Sequence, residues 1–218
     1  MKQFSVRFLR LLFGLFLYSV GIVLTIKAHI GYAPWDVFHA GLSALSGMSF
    51  GVASIVVGLV LVLVGLLLRE KIGLGTVLNM VLIGVFLDWI MLVVPQAANW
   101  PIGLAMMLGG LFIISLASFF YLGSGFGAGP RDSLMVALTR KTRLPVGLIR
   151  GGMELAAVLA GWAMGGLFGA GTLLFALAIG VCIQATFRLL RFDPTLVRHE
   201  NLLDTWRTVF GREERQNK

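Results

Sequence analysis

Residues 31–36 read Gly-Tyr-Ala-Pro-Trp-Asp, and residues 127–132 read Gly-Ala-Gly-Pro-Arg-Asp, 96 positions further along the chain. A second motif recurs at the same offset, since residues 73–76 read Gly-Leu-Gly-Thr and residues 169–172 read Gly-Ala-Gly-Thr. Two motifs that repeat in one ungapped register indicate an internal duplication. We therefore expect two copies of one structural unit, each containing a Gly-x-x-Pro-x-Asp turn.

The composition places both copies in a membrane. Of the 218 residues, 58% are hydrophobic and 13% are charged, whereas a soluble domain is about 45–50% apolar and about 25% charged. Too few polar side chains remain to cover a globular surface, which excludes an ordinary soluble enzyme and a nucleic-acid-binding protein. We expect the lipid bilayer to be the main partner of the chain.

Six segments are long and apolar enough to cross a hydrocarbon core, which takes about 20 residues of helix. They are residues 8–28, 51–68, 73–94, 101–122, 146–164 and 171–190. Two further segments, residues 30–50 and 126–145, contain the Pro-x-Asp motifs and are too short and too polar to cross. The sequence predicts an all-α, polytopic membrane protein with six transmembrane helices and two short helices, either re-entrant or interfacial.

The basic residues predict the orientation of these spans. With the N-terminus in the cytoplasm, all of the 18 lysines and arginines except Lys27 fall at or near the cytoplasmic side, as the positive-inside rule requires. Each copy holds three spans, an odd number, so the second copy enters the membrane from the opposite side and the two are inverted-topology repeats. The predicted divisions are the first membrane repeat, residues 1–95, the second, residues 96–191, and a basic cytoplasmic tail, residues 192–218.

Each Pro-x-Asp motif predicts the start of a short helix. Proline suits the first helical position, and an aspartate in the first turn favours the positive helix end and can satisfy free amides. If both helices dip inward, their N-termini face each other and frame a permeation path; interfacial helices capped by the aspartates are the alternative. The path candidates from these motifs are Gly31, Pro34, Asp36, Gly127, Pro130 and Asp132.

Four further residues are candidates for the path. Glu154 lies about 12 Å into the fifth span, where a charge is costly unless it is paired, protonated or hydrated. Arg150, one helical turn away, offers an intrahelical ion pair as the structural explanation. Thr76 and Thr172 open the third span of each copy, where close helix packing and helix capping are the alternative to ligand contact.

The sequence offers no sign of an enzyme or a metal centre. We find no nucleophile–base pair and no phosphate-binding loop, and the spacing of Asp36, His29 and His39 matches no standard metal-ligand pattern. We therefore expect neither a catalytic activity nor a cofactor. Trp35 is expected at the outer membrane boundary, where tryptophans are enriched.

The duplicated motifs resemble those of the YczE/YyaS/YitT family of bacterial integral membrane proteins. The match is carried by residues 33–36 and 73–76 in the first copy and by residues 129–132 and 169–172 in the second, within a resemblance that covers about residues 8–190. The resemblance implies the architecture and residence in a bacterial cell membrane, but no activity.

Two functions follow as expectations from the sequence. The inverted duplication favours a transporter or channel-like permease for an unknown small solute or ion, with its central site between the copies. The alternative is a non-transporting scaffold or regulator that acts through the basic tail. The oligomeric state is open, with a homo-oligomer as one option.

Overall fold

Eight α-helices make up most of the computed structural model, which describes residues 2–197 and 199–205. Within those residues the chain forms helices and turns and contains no strand. The α-helices are α1 Lys2–Lys27, α2 Pro34–Ser46, α3 Phe50–Leu67, α4 Leu74–Val93, α5 Trp100–Ser124, α6 Pro130–Thr142, α7 Val146–Ala163 and α8 Ala170–Leu189. A short 3₁₀ helix follows at Pro194–Leu196.

Six of these helices, α1, α3, α4, α5, α7 and α8, are long and apolar enough to span a membrane. This confirms the predicted all-α architecture with six spans, and five of the six predicted spans agree with the structure within two residues at each end. The first span differs, because α1 already begins at Lys2 rather than at residue 8. Large apolar side chains remain exposed along the spans, as expected where lipid is the solvent.

The two halves of the chain share helix boundaries as well as motifs. The bounds of α2, α3 and α4, each shifted by 96 positions, coincide with the bounds of α6, α7 and α8. Four turn positions with positive φ recur at the same offset: His29 and Gly125, Gly31 and Gly127, Gly47 and Arg143, Arg69 and Gly165. The correspondence at an offset of 96 positions therefore extends from the sequence to the local backbone conformation.

The long helices α1 and α5 pack against each other at the centre of the bundle. Glycines bring their backbones close: a methyl group at Gly21 would lie 3.0 Å from the carbonyl oxygen of Gly110. Small residues at such contacts allow the dispersion-driven packing on which membrane helices depend. This pair holds the two halves of the bundle together.

Each short helix packs against a span of the other half of the chain. Helix α2 lies mainly against α7, and α6 lies mainly against α3. The α2–α7 contact is close, since a methyl group at Gly41 would overlap the carbonyl oxygen of Gly161. This exchange places the beginnings of α2 and α6 between the two halves.

Part of the predicted tail packs on the helical bundle. The amide of Glu200 donates to the carbonyl oxygen of Gly125 over 2.8 Å, and the amide of Leu202 donates to Ile72 over 3.0 Å. The Glu200 carboxylate also pairs with Arg7 of α1, at 2.6 Å between Oε1 and Nη1. Residue 198 and residues 206–218 of the predicted tail lie outside the described residues.

Candidate functional site

Each Gly-x-x-Pro-x-Asp turn accepts a backbone hydrogen bond from the other half of the chain, and the two bonds are equivalent at the offset of 96. The amide of Gly171, in the first turn of α8, donates to the carbonyl oxygen of Ile30 over 2.7 Å. Equivalently, the amide of Gly75, in the first turn of α4, donates to the carbonyl oxygen of Phe126 over 2.7 Å. The first-turn amides of a helix have no partner within that helix, so each turn satisfies a free donor of the other half.

Glycine is required at both turns by backbone conformation and by space. Gly31 has a φ of +122° and Gly127 a φ of +112°, a region that L side chains rarely adopt. A methyl group at Gly31 would lie 2.9 Å from the backbone of Gly169, and one at Gly127 would lie 2.9 Å from the Cα atom of Gly73. The two turns thus pack directly against the backbone of the Gly-x-Gly-Thr motifs of the other half.

The threonines of these motifs cap the helices that they open. Thr76 accepts a hydrogen bond from the amide of Gly73 over 3.2 Å and donates to the carbonyl oxygen of Ala128 over 2.6 Å. Thr172 accepts the equivalent bond from the amide of Gly169, also over 3.2 Å. Both side chains are buried, so their geometry supports the capping alternative.

We expect Thr76→Val to destabilise the protein more than Thr172→Val. The first change leaves the amide of Gly73 and the carbonyl of Ala128 without the Thr76 hydroxyl, whereas the second removes the bond to the amide of Gly169. An unsatisfied buried polar group costs about 1–3 kcal/mol. Thermal unfolding of the purified variants in detergent measures the difference. Equal midpoints would contradict the bond from Thr76 across to the other half.

The beginnings of the two short helices meet at the centre of the bundle. Trp35 and Arg131, the middle residues of the two Pro-x-Asp motifs, are in direct contact, with the guanidinium carbon 5.0 Å from the centroid of the indole ring. Such cation–π contacts are worth about 0.5–2 kcal/mol. The indole of Trp35, which the sequence places at the outer boundary, is directed by the fold of the turn toward Arg131 of the other half.

A cavity of about 230 Å³ lies at this meeting point and is lined by residues from both halves. Apolar side chains from α1, α3, α4 and α8 form much of its wall. Its polar lining residues are Tyr18, Asp36, His39, Ser54, Asn79, Tyr121, Arg131, Asp132, Arg150 and Glu154. The cavity therefore holds charges of both signs between the two halves.

Two of the cavity's charges form an ion pair on α7. The Nε atom of Arg150 lies 3.0 Å from Oε1 of Glu154, one helical turn away, which is the geometry of an intrahelical pair. The exposed fraction is 52% for the Arg150 side chain and 27% for that of Glu154. This pair explains how the α7 carboxylate is accommodated, and it also places both groups in the cavity wall.

A second set of polar groups links α2 to α6. The Nδ1 atom of His39 lies 3.3 Å from Oδ1 of Asp36, although the contact lacks the alignment of a hydrogen bond. The Nε2 atom of the same ring lies 3.4 Å from Nη2 of Arg131. Burial lowers the pKa of His39, so the neutral ring can accept from the guanidinium. Asp36, His39 and Arg131 thus form one chain of contacts across the centre.

Asp132 faces the cavity without an ion pair. No basic nitrogen lies within 4.0 Å of its carboxylate in the part of the chain that the structure describes. Burial raises the pKa of this carboxyl, and the nearby charges of Arg150 and Arg131 act in the opposite direction. The side chain is nevertheless solvent-accessible, because the surface that it presents faces the cavity.

The structure divides the ten predicted path residues into two groups. Those that line the cavity are Asp36, Pro130, Asp132, Arg150 and Glu154. Those that build the turns and caps around it are Gly31, Pro34, Gly127, Thr76 and Thr172. Whether any of them contacts a solute stays a prediction.

Sequence reasoning missed three cavity residues that the geometry brings forward. From the sequence, Arg131 is only a basic residue near the cytoplasmic side, and Trp35 is an interfacial aromatic residue. His39 is a histidine whose spacing matches no metal-ligand pattern. The shared offset of 96 positions between Trp35 and Arg131 was the available signal, because equivalent residues on two facing helix starts are the ones that can touch.

The helices and the cavity together define a multi-pass α-helical membrane protein with a charged internal cavity. The sequence profile of a family described as "Family of unknown function (DUF6198)" matches residues 5–188. The chain belongs to this family.

The curated relatives are membrane or uncharacterised proteins of bacteria. The chain is 38% identical over 173 residues to a Bacillus subtilis (strain 168) protein named "Uncharacterized membrane protein YczE", covering 78% of this chain and 80% of the relative. It is 31% identical to an uncharacterised protein of Haemophilus influenzae (strain ATCC 51907 / DSM 11121 / KW20 / Rd), covering 80% of each chain. It is 28% identical to the B. subtilis protein YyaS over 57% of this chain and 64% of YyaS. No solved structure matches the chain significantly. These matches confirm the resemblance to YczE and YyaS.

Proposed function

We propose that the protein is a small permease of the bacterial inner membrane, with both termini in the cytoplasm, that moves a small solute or ion through its central cavity. The observation that carries the proposal is the cavity itself, in which α2 and α6 of the two halves place Asp36 and Asp132 beside the α7 pair. Charged side chains inside a membrane protein are expensive and generally mark a solute path.

The matched architecture of the two halves supports alternating access as the mechanism. The halves share helix bounds, turn conformations and the exchanged hydrogen bonds of Gly75 and Gly171. With three spans in each half, the second half is inverted relative to the first, and rocking of such repeats around a fixed central site is the common transport cycle. Opening one side then requires a change in the contacts between the halves.

The exposure of the cavity residues supports a state open toward the cytoplasmic side. The exposed fraction falls from 52% for the Arg150 side chain, near the start of α7, to 27% for Glu154 and 5% for Asp36. At the other end, α2 and α7 are closely packed through Gly41 and Gly161. By the predicted topology, the start of α7 lies at the cytoplasmic face.

The proposal is tested by solute uptake into proteoliposomes that contain the purified protein, with a panel of small ions, organic acids, amines and amino acids. We expect Asp36→Asn, Asp132→Asn and Glu154→Gln each to lower the initial rate about tenfold or more, since charge-assisted contacts are worth about 1.5–3 kcal/mol.

Glu70→Gln is the matched control for the glutamate variant. Glu70 also pairs with an arginine, at 2.8 Å from Arg140, but it does not line the cavity. Its removal should leave uptake unchanged. Folded protein that moves no member of the panel, or an equal loss of rate in the Glu70 and Glu154 variants, would contradict the proposal.

A second candidate function, a regulator that acts through its C-terminal segment, is favoured by the docking of residues 199–205. Glu200 links this segment to Arg7 and to the turn at Gly125. A change in the helical bundle can therefore be transmitted to the segment. A chain that ends at Arg191 separates the candidates. Loss of a cellular effect with unchanged uptake would favour the regulator over the permease.

A further inference from the structure

Arg131 offers a cation to the cavity that no carboxylate neutralises directly. In the described residues, no carboxylate oxygen lies within 4.0 Å of its guanidinium. The group is held from two sides, by the ring of Trp35 and by Nε2 of His39. A guanidinium fixed in this way is preorganised for bidentate binding of a carboxylate, which matches its planar donor geometry.

Asp132 offers the opposite charge one residue further along α6. Successive residues on a helix point about 100° apart and do not face each other, which explains why Arg131 and Asp132 do not pair. Asn79 of α4 also lines the cavity, and its amide atoms lie near the same turn as the Asp132 carboxylate. An ammonium group placed there would gain a carboxylate and an amide carbonyl.

The two other carboxylates of the cavity lie in contacts of their own. Glu154 is paired with Arg150, and Asp36 lies against His39, whose side chain is 2% exposed. A simple anion would satisfy Arg131 and leave Asp132 unpaired, whereas a simple cation would do the reverse. A zwitterion satisfies both, and unpaired charges in a low-dielectric site are costly.

The size and the walls of the cavity limit the rest of the solute. A volume of about 230 Å³ lies below the roughly 300–1,000 Å³ of typical ligand pockets, so the cavity admits a small solute. Ile22, Val57, Ile83 and Ile179 line it beside the charged groups. Such walls favour a small apolar side chain over a charged or extended one.

We infer that the cavity binds a small α-amino acid with an apolar side chain, its carboxylate on Arg131 and its ammonium group on Asp132. The inference rests on the proposed function, because it names the class of solute for the same cavity. Both partners lie on the first turn of α6, and Arg131 is held there by Trp35 and His39 of the other half.

The test is equilibrium binding to the protein in nanodiscs, read from tryptophan fluorescence, with Trp35→Phe used to identify the part of the signal that comes from the cavity. We expect saturable binding of L-valine. N-acetyl-L-valine, which lacks the ammonium charge, and L-valinamide, which lacks the carboxylate, should each bind about tenfold more weakly or worse. These ligands probe the unaltered protein, so the result does not depend on whether a variant folds.

Two variants complete the design. Arg131→Gln should weaken L-valine binding about tenfold or more, while Arg140→Gln, which removes a cation of the same helix outside the cavity, should leave it unchanged. The inference is overturned if L-alanine, L-valine and L-leucine all fail to bind saturably. It is also overturned if N-acetyl-L-valine binds as well as L-valine, since the site would then recognise the carboxylate alone.

Uptake of labelled L-valine by proteoliposomes separates this inference from the proposed function. Saturable binding without uptake of any panel solute would leave the amino-acid site standing and remove the permease. Uptake of another solute without amino-acid binding would support the permease and overturn the amino-acid site.

Discussion

Replacing Gly31 by alanine is expected to destabilise the protein strongly. The backbone at this turn has a φ of +122°, and left-handed conformations cost an L residue about 1–2 kcal/mol. In addition, the new methyl group would lie 2.9 Å from three backbone atoms of Gly169, and overpacking of this kind costs about 1–3 kcal/mol. The combined loss of roughly 3 kcal/mol is a large part of a typical stability.

Two control variants separate the causes of that loss. Gly165 also has a positive φ, of +95°, but a methyl group there meets nothing within 4 Å, so Gly165→Ala reports the backbone strain alone. Gly147, in the first turn of α7, has an equally open surrounding and sits in an ordinary helix, so Gly147→Ala should be neutral. Yield of monodisperse protein and the thermal midpoint measure all three. A Gly31 variant as stable as the Gly165 variant would show that the two turns do not pack as described.

Cysteines at the ends of the two short helices should react from opposite sides of the membrane. Ser46 is the last residue of α2 and Thr142 the last of α6, and the two positions are equivalent at the offset of 96. Both residues are exposed, and each hydroxyl bonds a carbonyl of its own helix, so the two substitutions are well matched. In a Cys182→Ser background, which removes the sole natural cysteine, Ser46→Cys should be labelled by a membrane-impermeant maleimide in intact spheroplasts.

Thr142→Cys should be labelled only after the membrane is permeabilised. The expected effect is nearly all-or-none, because a charged reagent does not cross the bilayer on the time scale of the reaction. Labelling of both cysteines from one side would refute the inverted arrangement of the halves. The alternating-access mechanism would then lose its basis.

Much of the fold was predictable because its signals are local. Long apolar runs mark the spans, and Pro34 and Pro130 mark the first residues of α2 and α6, as the structure shows. The start of α1 was not predictable in this way. Lys2 and Arg7 resemble a polar flank, but Arg7 lies over the ring of Phe126 and pairs with Glu200, so distant residues extend the helix.

The chemistry of the cavity was only partly predictable. Asp36, Asp132 and Glu154 stand out because carboxylates are rare in apolar segments. Arg131 does not, since a basic residue after a predicted cytoplasmic turn also satisfies the positive-inside rule. Its contact with His39 joins residues 92 positions apart, and only the packing of α2 against the other half creates it.

The exchanged hydrogen bonds at the two turns can form only after much of the second half of the chain has been synthesised. The amide of Gly75 can bond only after Phe126 has been synthesised, and the carbonyl of Ile30 can bond only after Gly171 has been synthesised. The nascent first half therefore stays incomplete in the bilayer while the ribosome adds most of the second. Protein cut between the halves should need both fragments in the same membrane to mature.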